Sequence, residues 1–434
     1  MSTFHDSLDE IMPRMIAFGE DLYHHPEIGY KEEYAHEKMR ALLDASGIAC
    51  RTVAKTGIKA TLDSGREGPH IVLLAEFDGV PVPSHPEANR EQGFAAPACG
   101  HYAQAAVMLG VFLAIRKSGM MDDLCGKVTF LASPAEEYCD LDYRKELMDK
   151  GEILFAGGKQ HLIASGEFDD ADIVLHCHAM GGDADGEIGS SLNGFLHKDA
   201  IFRGKAAHAA ANPEDGVNAL NAATLSMTAI NFLRETFLAD DAVRVHYYMP
   251  EGGKNAGTVP EETRIELFVR AKRAEALSLI GEKVDRCLKA GAYATGCNVT
   301  IIDNMGYYPL KPDRALSAFV GERMARYMDA DRIVHDRHGF ASGDIGDVSM
   351  MWPTIQTGVA GFAGTFHGKD FRTADTHKAY EVPAAYFLDA VHDLLADGGR
   401  EAYRIIDAFV PTLDRKEYVS YLTAKTTCFR DSFL

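Results

Sequence analysis

Positive charge, long apolar runs and paired cysteines are all scarce in this chain of 434 residues. Lys and Arg number 44 against 64 Asp and Glu, which leaves a formal net charge of −20. Because nucleic acids and anionic lipids are bound by basic surfaces, this balance excludes both as main partners. The longest mainly apolar run, residues 103–115, is too short to cross a bilayer and predicts a buried helix.

The eight cysteines are scattered and none forms a Cys-x-x-Cys pair, which favours free thiols over disulfides. The first 30 residues lack a basic region followed by an apolar core, so we expect no secretory signal peptide and a cytoplasmic protein. An apolar content of 46% is typical of a folded chain. The 18 histidines of this acidic protein are candidates for ligands of a cation.

Short, continuously apolar runs predict the strands of an α/β core. Four such runs lie at 70–79, 127–134, 171–178 and 352–362, and helices are predicted between them, notably at 102–117. Strands without polar alternation are covered on both faces. The pattern therefore favours a mixed, mostly parallel sheet sandwiched by helices.

The middle of the chain has a different pattern. Strands with more regular polar alternation combine with predicted helices at 216–238 and 273–293 in the order β-α-β-β-α-β. This order is typical of a ferredoxin-like fold. We therefore predict a catalytic domain in two parts, 1–190 and 308–434, interrupted by a smaller inserted domain at 191–307.

Four short motifs offer residues of the types that bind metal ions. They are Cys99-Gly100-His101, Glu136-Glu137, His176-Cys177-His178 and Gly364-Thr365-Phe366-His367-Gly368. Each lies near the carboxyl end of a predicted core strand, where open α/β sheets place their sites, so together they indicate one site. Mixed sulfur, nitrogen and oxygen donors suit Zn²⁺, Mn²⁺ or Co²⁺.

The adjacent acids Glu136 and Glu137 allow a division of labour, in which one binds metal and the other takes a proton from water. The spacing in the His-Cys-His run leaves open which histidine is a ligand. A rival interpretation is a thiol hydrolase with Cys99 as nucleophile and His101 as base. Another is a non-catalytic metal-bound or peptide-binding scaffold, against which the intact acid pair argues.

Further segments extend the pattern over nearly the whole chain. In order, they include LYHHPEIGYKEE at 22–33, LLAEFDGVP at 73–81, ACGHYAQAAVMLG at 98–110, SPAEE at 133–137, GEFDDADIVLHCH at 166–178, GKAAHAA at 204–210, TVPEETRIELFVRAK at 258–272 and FHGKDF at 366–371. This ordered set resembles peptidase family M20, the aminoacylase and glutamate carboxypeptidase metallopeptidases. It is most similar to the amidohydrolase branch, near the subgroup of the p-aminobenzoyl-glutamate hydrolase catalytic subunit.

The resemblance implies a metal-dependent C–N hydrolase that cleaves an amide bond of a small N-acyl or N-aroyl amino acid or dipeptide-like substrate. It implies one or two divalent ions per subunit, Mn, Zn or Co. By motif position, the implied metal ligands are Cys99, His101, Glu137, His178 and His367, with Glu136 as general base and Asp78 as a carboxylate that orients the site.

The resemblance also implies roles for residues of the inserted domain. His208 matches a histidine that reaches the partner subunit's site and stabilises the oxyanion, which implies a homodimer or higher homo-oligomer and a lid role for this domain. Arg270 matches a residue that grips a substrate carboxylate. Tyr102 stands where relatives have Asn or Asp, and Gly257 stands where relatives have an Asn that contacts the substrate. Asn255 lies near Gly257, so Tyr102 and Asn255 are further candidates for substrate contact. These departures leave an alternative open, an aryl-amine hydrolase of an electron-poor aminobenzoate such as 5-nitroanthranilate.

Overall fold

The computed structural model describes residues 2–431. The helices are α1 Ser2–His24, α2 Glu33–Ala45, α3 His101–Ser118, α4 Leu141–Asp149, α5 Gly158–Ala164, α6 Ala219–Phe232, α7 Ala274–Thr295, α8 Arg314–Met324, α9 Ile345–Ser349, α10 Val382–Leu395, α11 Arg400–Ala408 and α12 Arg415–Lys425. The strands are β1 Cys50–Val53, β2 Gly57–Asp63, β3 His70–Glu76, β4 Val80–Pro81, β5 Ala95–Ala96, β6 Lys127–Ser133, β7 Ile173–Ala179, β8 Gly186–Ile188, β9 Ser191–Leu192, β10 Gly194–Arg203, β11 Arg244–Glu251, β12 Glu262–Ala271, β13 Asn298–Met305, β14 Ile333–His335, β15 His338–Gly339, β16 Thr354–Val359, β17 Phe362–Ala363, β18 Arg372–Thr373 and β19 Thr427–Asp431.

Contacts between residues divide the chain into two compact units. Unit 1 comprises Met1–Ser191, Lys311–Arg337 and Asp347–Arg415, and unit 2 comprises Leu192–Leu310, His338–Gly346 and Lys416–Leu434. The main segment of unit 2 begins and ends within three residues of the predicted insertion. Residues 338–346 and the segment from Lys416 onward, which we predicted in the catalytic domain, belong to unit 2. In the latter segment, β19 pairs antiparallel with β13.

Unit 1 contains an eight-stranded mixed sheet in the order β1-β2-β6-β3-β7-β16-β8-β14. Its central strands β6, β3, β7 and β16 run parallel to their neighbours in this set. These four strands are the continuously apolar runs of the sequence, and β3 is buried at every position. Helix α3 is buried from His101 to Ile115 and packs against α1 and α10. The predicted α/β class, with a mostly parallel sheet between helices, is confirmed.

Unit 2 contains a five-stranded antiparallel sheet in the order β11-β12-β10-β13-β19. The elements β10, α6, β11, β12, α7 and β13 follow the β-α-β-β-α-β order along the chain, and β19 adds a fifth strand. Strand β12 alternates buried and more exposed residues, as expected when helices α6 and α7 cover one face of a sheet. The polar alternation of the sequence therefore marks this sheet.

The structure also describes the state of the cysteines and the character of the helices. Each of the eight cysteines, all of which lie within residues 2–431, is a free thiol, as their spacing predicted. Among the described helices, none combines the length and the apolarity needed to cross a membrane.

Candidate metal centre

Loops and termini at the carboxyl edge of the unit 1 sheet bring the predicted ligands together. Asp78 follows β3, Glu136 and Glu137 follow β6, His178 lies near the end of β7, His367 lies in the loop between β17 and β18, and Cys99 and His101 lie at the start of α3. Parallel strands end at the same edge, so residues far apart in sequence meet there. The site is a consequence of the sheet topology.

Three overlapping groups of donor atoms form the centre, and within each group the atoms lie within 4.8 Å of one another. The groups are Cys99 with His101 and His178, Cys99 with Glu137 and His367, and His101 with Glu136 and Glu137. Cys99 Sγ lies 3.4 Å from His178 Nε2, and Glu137 Oε1 lies 3.1 Å from His367 Nε2. All five predicted ligands and the predicted base therefore belong to one cluster.

Hydrogen bonds orient two of the histidine rings towards the cluster. His101 Nδ1 lies 2.9 Å from the carbonyl oxygen of Asp78 and 3.1 Å from its carboxylate, so this nitrogen carries a proton and Nε2 faces the cluster. His178 Nδ1 donates to the carbonyl oxygen of Ala179 at 2.9 Å, which leaves His178 Nε2 facing Cys99. Asp78 also accepts the backbone N–H of Glu137 at 2.9 Å, which is the arrangement of a carboxylate that supports metal ligands.

The backbone at the centre adopts conformations that side chains usually avoid. Gly100, between two donors, has φ +88°, and a Cβ there would lie 2.6 Å from the Cβ of Ala179, so this position requires glycine. Ala135 and His367 have φ of 55° and 56°, and each such left-handed residue costs about 1–3 kcal/mol. The fold therefore holds the loops that carry Glu136 and His367 under strain.

Two buried residues that the sequence analysis did not single out hold the loop of Glu136. Glu32 accepts the N–H of Ala135 at 2.9 Å, and Arg144 donates to the carbonyl oxygen of Glu137. Burial, together with the neighbouring Asp78, raises the pKa of Glu32 to about 8, which favours the neutral form of its carboxyl. The sequence offers no signal for either role, because Glu32 precedes a helix and Arg144 lies within one, where both residue types are common on surfaces.

The buried groups fit a divalent transition ion. Cys99, Glu76, Glu136 and Glu137 are all buried beside His101. Among the described residues, His101 Nε2 and Glu76 Oε2 have no hydrogen-bond partner. A soft thiol, imidazole nitrogens and carboxylates form a donor set of the kind that borderline ions prefer. Burial and the Glu137 carboxylate raise the pKa of the Cys99 thiol well above its usual range, which argues against the rival thiolate nucleophile.

Tyr102 packs in the core beside the centre. Its side chain is only 4% exposed, its hydroxyl lies 2.9 Å from Thr373 Oγ1, and its ring contacts Tyr23 and Phe362 edge-on. The ring thus fills space between helices and loops of unit 1. The surrounding core therefore accommodates a ring larger than the Asn or Asp that relatives have at this position.

His208 and Asn255 are exposed residues of unit 2. His208 Nδ1 accepts the backbone N–H groups of Ala210 and Ala211 at 3.2 and 3.0 Å, so the ring proton is on Nε2, which is a hydrogen-bond donor. Asn255 Oδ1 accepts the N–H of Gly257 at 2.9 Å and shapes the turn before Thr258. His208 therefore has the tautomer that donation to an oxyanion requires.

Arg270 lies on β12, where aromatic and polar side chains surround its guanidinium. It donates to Ser342 Oγ at 2.8 Å and to His246 Nε2 at 3.1 Å. The guanidinium carbon lies 5.3 and 5.5 Å from the ring centres of Phe195 and Phe268. These contacts limit the rotation of the side chain and present a cation with a defined orientation.

Comparison with known proteins agrees with this site. Residues 72–393 match the description Peptidase family M20/M25/M40. Xaa-Arg dipeptidase of Mus musculus is 27% identical over 372 residues, which is 81% of this chain and 77% of that protein. One of the subunits of p-aminobenzoyl-glutamate hydrolase from Escherichia coli (strain K12) is 24% identical over 74% of this chain and 64% of its own length.

Solved structures share the fold. A dinuclear metal-binding peptidase of family M20 from Bacillus subtilis is 19% identical, covers 89% of this chain and 99% of its own, and has a TM-score of 0.66. The aminobenzoyl-glutamate utilization protein of Klebsiella pneumoniae is 17% identical, covers 91% and 99%, and has a TM-score of 0.68. The family match spans most of the chain and includes the residues of the donor cluster. The chain therefore belongs to peptidase family M20/M25/M40 and is a hydrolase of C–N bonds.

Proposed function

We propose that this chain is an amidohydrolase for small N-acyl or N-aroyl amino acids or dipeptide-like substrates. The observation that carries the proposal is the position of Glu136, a buried carboxylate beside Glu137 in the donor cluster and 3.9 Å from His101 Nε2. Relatives named as N-acetyl-L-cysteine deacetylase of Bacillus subtilis (strain 168) and N-acyl-L-amino acid amidohydrolase of Geobacillus stearothermophilus support this substrate class.

The residues that would hold the metal are Cys99, His101, Glu137, His178 and His367. These residues would present the ion as a Lewis acid, whose chemistry would be to lower the pKa of water and to polarise a carbonyl oxygen. Asp78 keeps the His101 ring and the Glu137 backbone in position through its two carboxylate oxygens.

Glu136 acts as general base and then as general acid. It takes a proton from the attacking water and returns it to the leaving nitrogen, as amide hydrolysis requires. The strained backbone at Ala135 and the hydrogen bond from its N–H to Glu32 hold the loop that carries Glu136. A positioned base of this kind contributes about 10²–10⁴-fold to the rate.

His208 and Arg270 supply the contacts outside the cluster. His208 donates its Nε2–H to the oxyanion of the substrate, in the site of a partner subunit, so the active assembly is a homodimer or larger homo-oligomer. Arg270 binds the substrate carboxylate through its guanidinium, which the two phenylalanine rings and Ser342 orient.

Aryl-amine hydrolysis has less support than amide hydrolysis. That alternative depended partly on Tyr102 reshaping the pocket, and Tyr102 is buried with its hydroxyl on Thr373. The named relatives support amide chemistry. A substrate panel that includes N-acyl amino acids, aminobenzoyl-glutamate, dipeptides and nitro-substituted anilines separates the two functions.

The role of Glu136 is tested with Glu136→Gln, which keeps the size of the side chain and removes the base. We expect turnover of the best panel substrate to fall by about 10²–10⁴-fold while metal content, measured by mass spectrometry, stays at the wild-type level. Glu146→Gln is the matched control, because Glu146 is an exposed residue of α4 and should keep the wild-type rate. A Glu136→Gln enzyme with near-normal turnover contradicts the proposal.

A further inference from the structure

Glu76 is a buried acid that none of the assigned roles explains. It ends β3, whose residues are buried throughout, and its side chain is 1% exposed. One carboxylate oxygen, Oε1, forms an ion pair with the buried Lys159 and lies 3.1 Å from His176 Nε2. The other oxygen, Oε2, has no hydrogen-bond partner among the described residues.

The unpartnered oxygen faces the metal centre. Glu76 Oε2 lies 3.4 Å from His101 Nε2, an atom that also lacks a hydrogen-bond partner within the described part of the chain. Asp78 holds His101 Nδ1, which leaves His101 Nε2 directed at Glu76 Oε2. A cation between these two buried atoms would bind both of them and offset the cost of burying the carboxylate.

The separation of the two atoms is that of neighbouring ligands. Metal–nitrogen and metal–oxygen bonds of about 2.1 Å, at angles between octahedral and tetrahedral, place donor atoms about 3.0–3.4 Å apart. The carboxylate of Glu76 also lies within 4.8 Å of that of Glu136. A cation bound between these two buried carboxylates would offset their mutual repulsion.

We infer that Glu76 is a further metal ligand, which supplies one carboxylate oxygen to the ion that His101 binds. The inference rests on the proposed function, because it assumes that the donor cluster holds a metal. Lys159 and His176 bind Oε1 and so leave Oε2 directed at His101. An added carboxylate makes the donor set harder, which raises the affinity for Mn²⁺ relative to the same set without Glu76.

The competing explanation is that Glu76 only neutralises Lys159. Both explanations predict a buried ion pair, and they differ in whether metal binding depends on the carboxylate. Glu76→Gln distinguishes them, since the amide oxygen can still accept from Lys159 but lacks the charge of a ligand. Glu27→Gln is the matched control, because Glu27 is also buried, its carboxylate accepts the N–H groups of Tyr34 and Ala35, and it belongs to none of the donor groups.

The experiment measures metal affinity by competition with a chelator, and the visible absorption bands of the Co²⁺-loaded protein. For Glu76→Gln we expect affinity to fall at least about tenfold and the Co²⁺ bands to shift, with both unchanged in Glu27→Gln. Affinity within twofold of wild type and identical Co²⁺ bands would overturn the inference. A wild-type protein that binds no metal would instead overturn the proposed function.

Glu76→Gln leaves Lys159 buried beside a neutral group, so it could fail to fold. Glu76→Gln/Lys159→Met removes both buried charges together, which is tolerated far better than removal of one. Its fold is checked by thermal melting of the metal-free protein. We expect the same loss of affinity as for the single variant, and wild-type affinity in this double variant would again overturn the inference.

Discussion

His176 and His178 show how much depends on a single residue position. They lie two residues apart on β7, yet His178 Nε2 is 3.4 Å from Cys99 Sγ whereas His176 Nε2 is 3.1 Å from Glu76 Oε1. His176 is fully buried and also contacts Gln104. The two rings therefore have different surroundings. The His178 ring belongs to the donor cluster, and the His176 ring contacts Glu76 and Gln104.

We predict that substitution separates these roles. His178→Gln removes a metal ligand and should weaken metal binding by more than about 100-fold, since even outer partners of ligands contribute about 10–100-fold. His176→Gln changes only a partner of Glu76 and should weaken binding less than His178→Gln, by about 10–100-fold. Chelator competition measures both affinities. Equal losses in the two variants would show that His176 is itself a ligand.

At the scale of elements, one strand of unit 2 carries a buried lysine that the sequence pattern does not predict. Lys198 on β10 is 1% exposed, and its Nζ lies 2.7 Å from Asp285 and 2.6 Å from Asp303. Burial raises the pKa of Asp303 even though Lys198 opposes this effect. The sheet of unit 2 and helix α7 are thus joined by a buried ion cluster whose members depend on one another.

We predict that Lys198→Met destabilises unit 2 by about 3 kcal/mol, because it leaves two carboxylates without their buried counter-charge. Lys198→Met/Asp303→Asn should recover at least half of that loss. Urea unfolding followed by far-ultraviolet circular dichroism measures the effect on the whole chain. Fluorescence of Trp352, the single tryptophan, which lies in unit 1, reports that unit separately. A loss below about 1 kcal/mol in Lys198→Met would contradict the prediction.

At the scale of the whole molecule, the residues with proposed catalytic and binding roles are divided between the two units. Glu136 and the donor cluster belong to unit 1, whereas His208 and Arg270 belong to unit 2. His208 is exposed, and its ring tautomer makes Nε2 a donor. An exposed donor without a catalytic group in its own loop suits a role in the site of a second copy.

Mixing of two inactive variants tests this arrangement. In a heterodimer of Glu136→Gln with His208→Ala, one site combines an intact Glu136 with an intact His208 from the other subunit. Random exchange of a 1:1 mixture makes half of the molecules heterodimers, so we expect recovery of about one quarter of wild-type activity. Native mass spectrometry verifies the exchange. Heterodimers that form and remain inactive would contradict a shared site.

Local sequence pattern was sufficient for the core strands, and it predicted residues that lie together in the donor cluster. The runs that became β3, β6, β7 and β16 are continuously apolar because helices cover both faces of the sheet, and that burial is recorded directly in composition. Cys99, Glu136 and Glu137 lie at predicted strand or helix ends, where site residues are expected. Short motifs that combine Cys, His and Glu can be recognised in the sequence without knowledge of tertiary contacts.

What the sequence by itself determined is the kind of fold and the family, because these follow from periodicity and from ordered motifs. It also predicted residues whose donor atoms the fold brings together, and their roles stay predictions. Only the tertiary structure decided which way individual side chains point. It places Tyr102 in the core, pairs β19 with β13, and brings Lys159 to Glu76 beside His101. Each of these depends on contacts between residues distant in sequence, whose direction and charge balance no local pattern encodes.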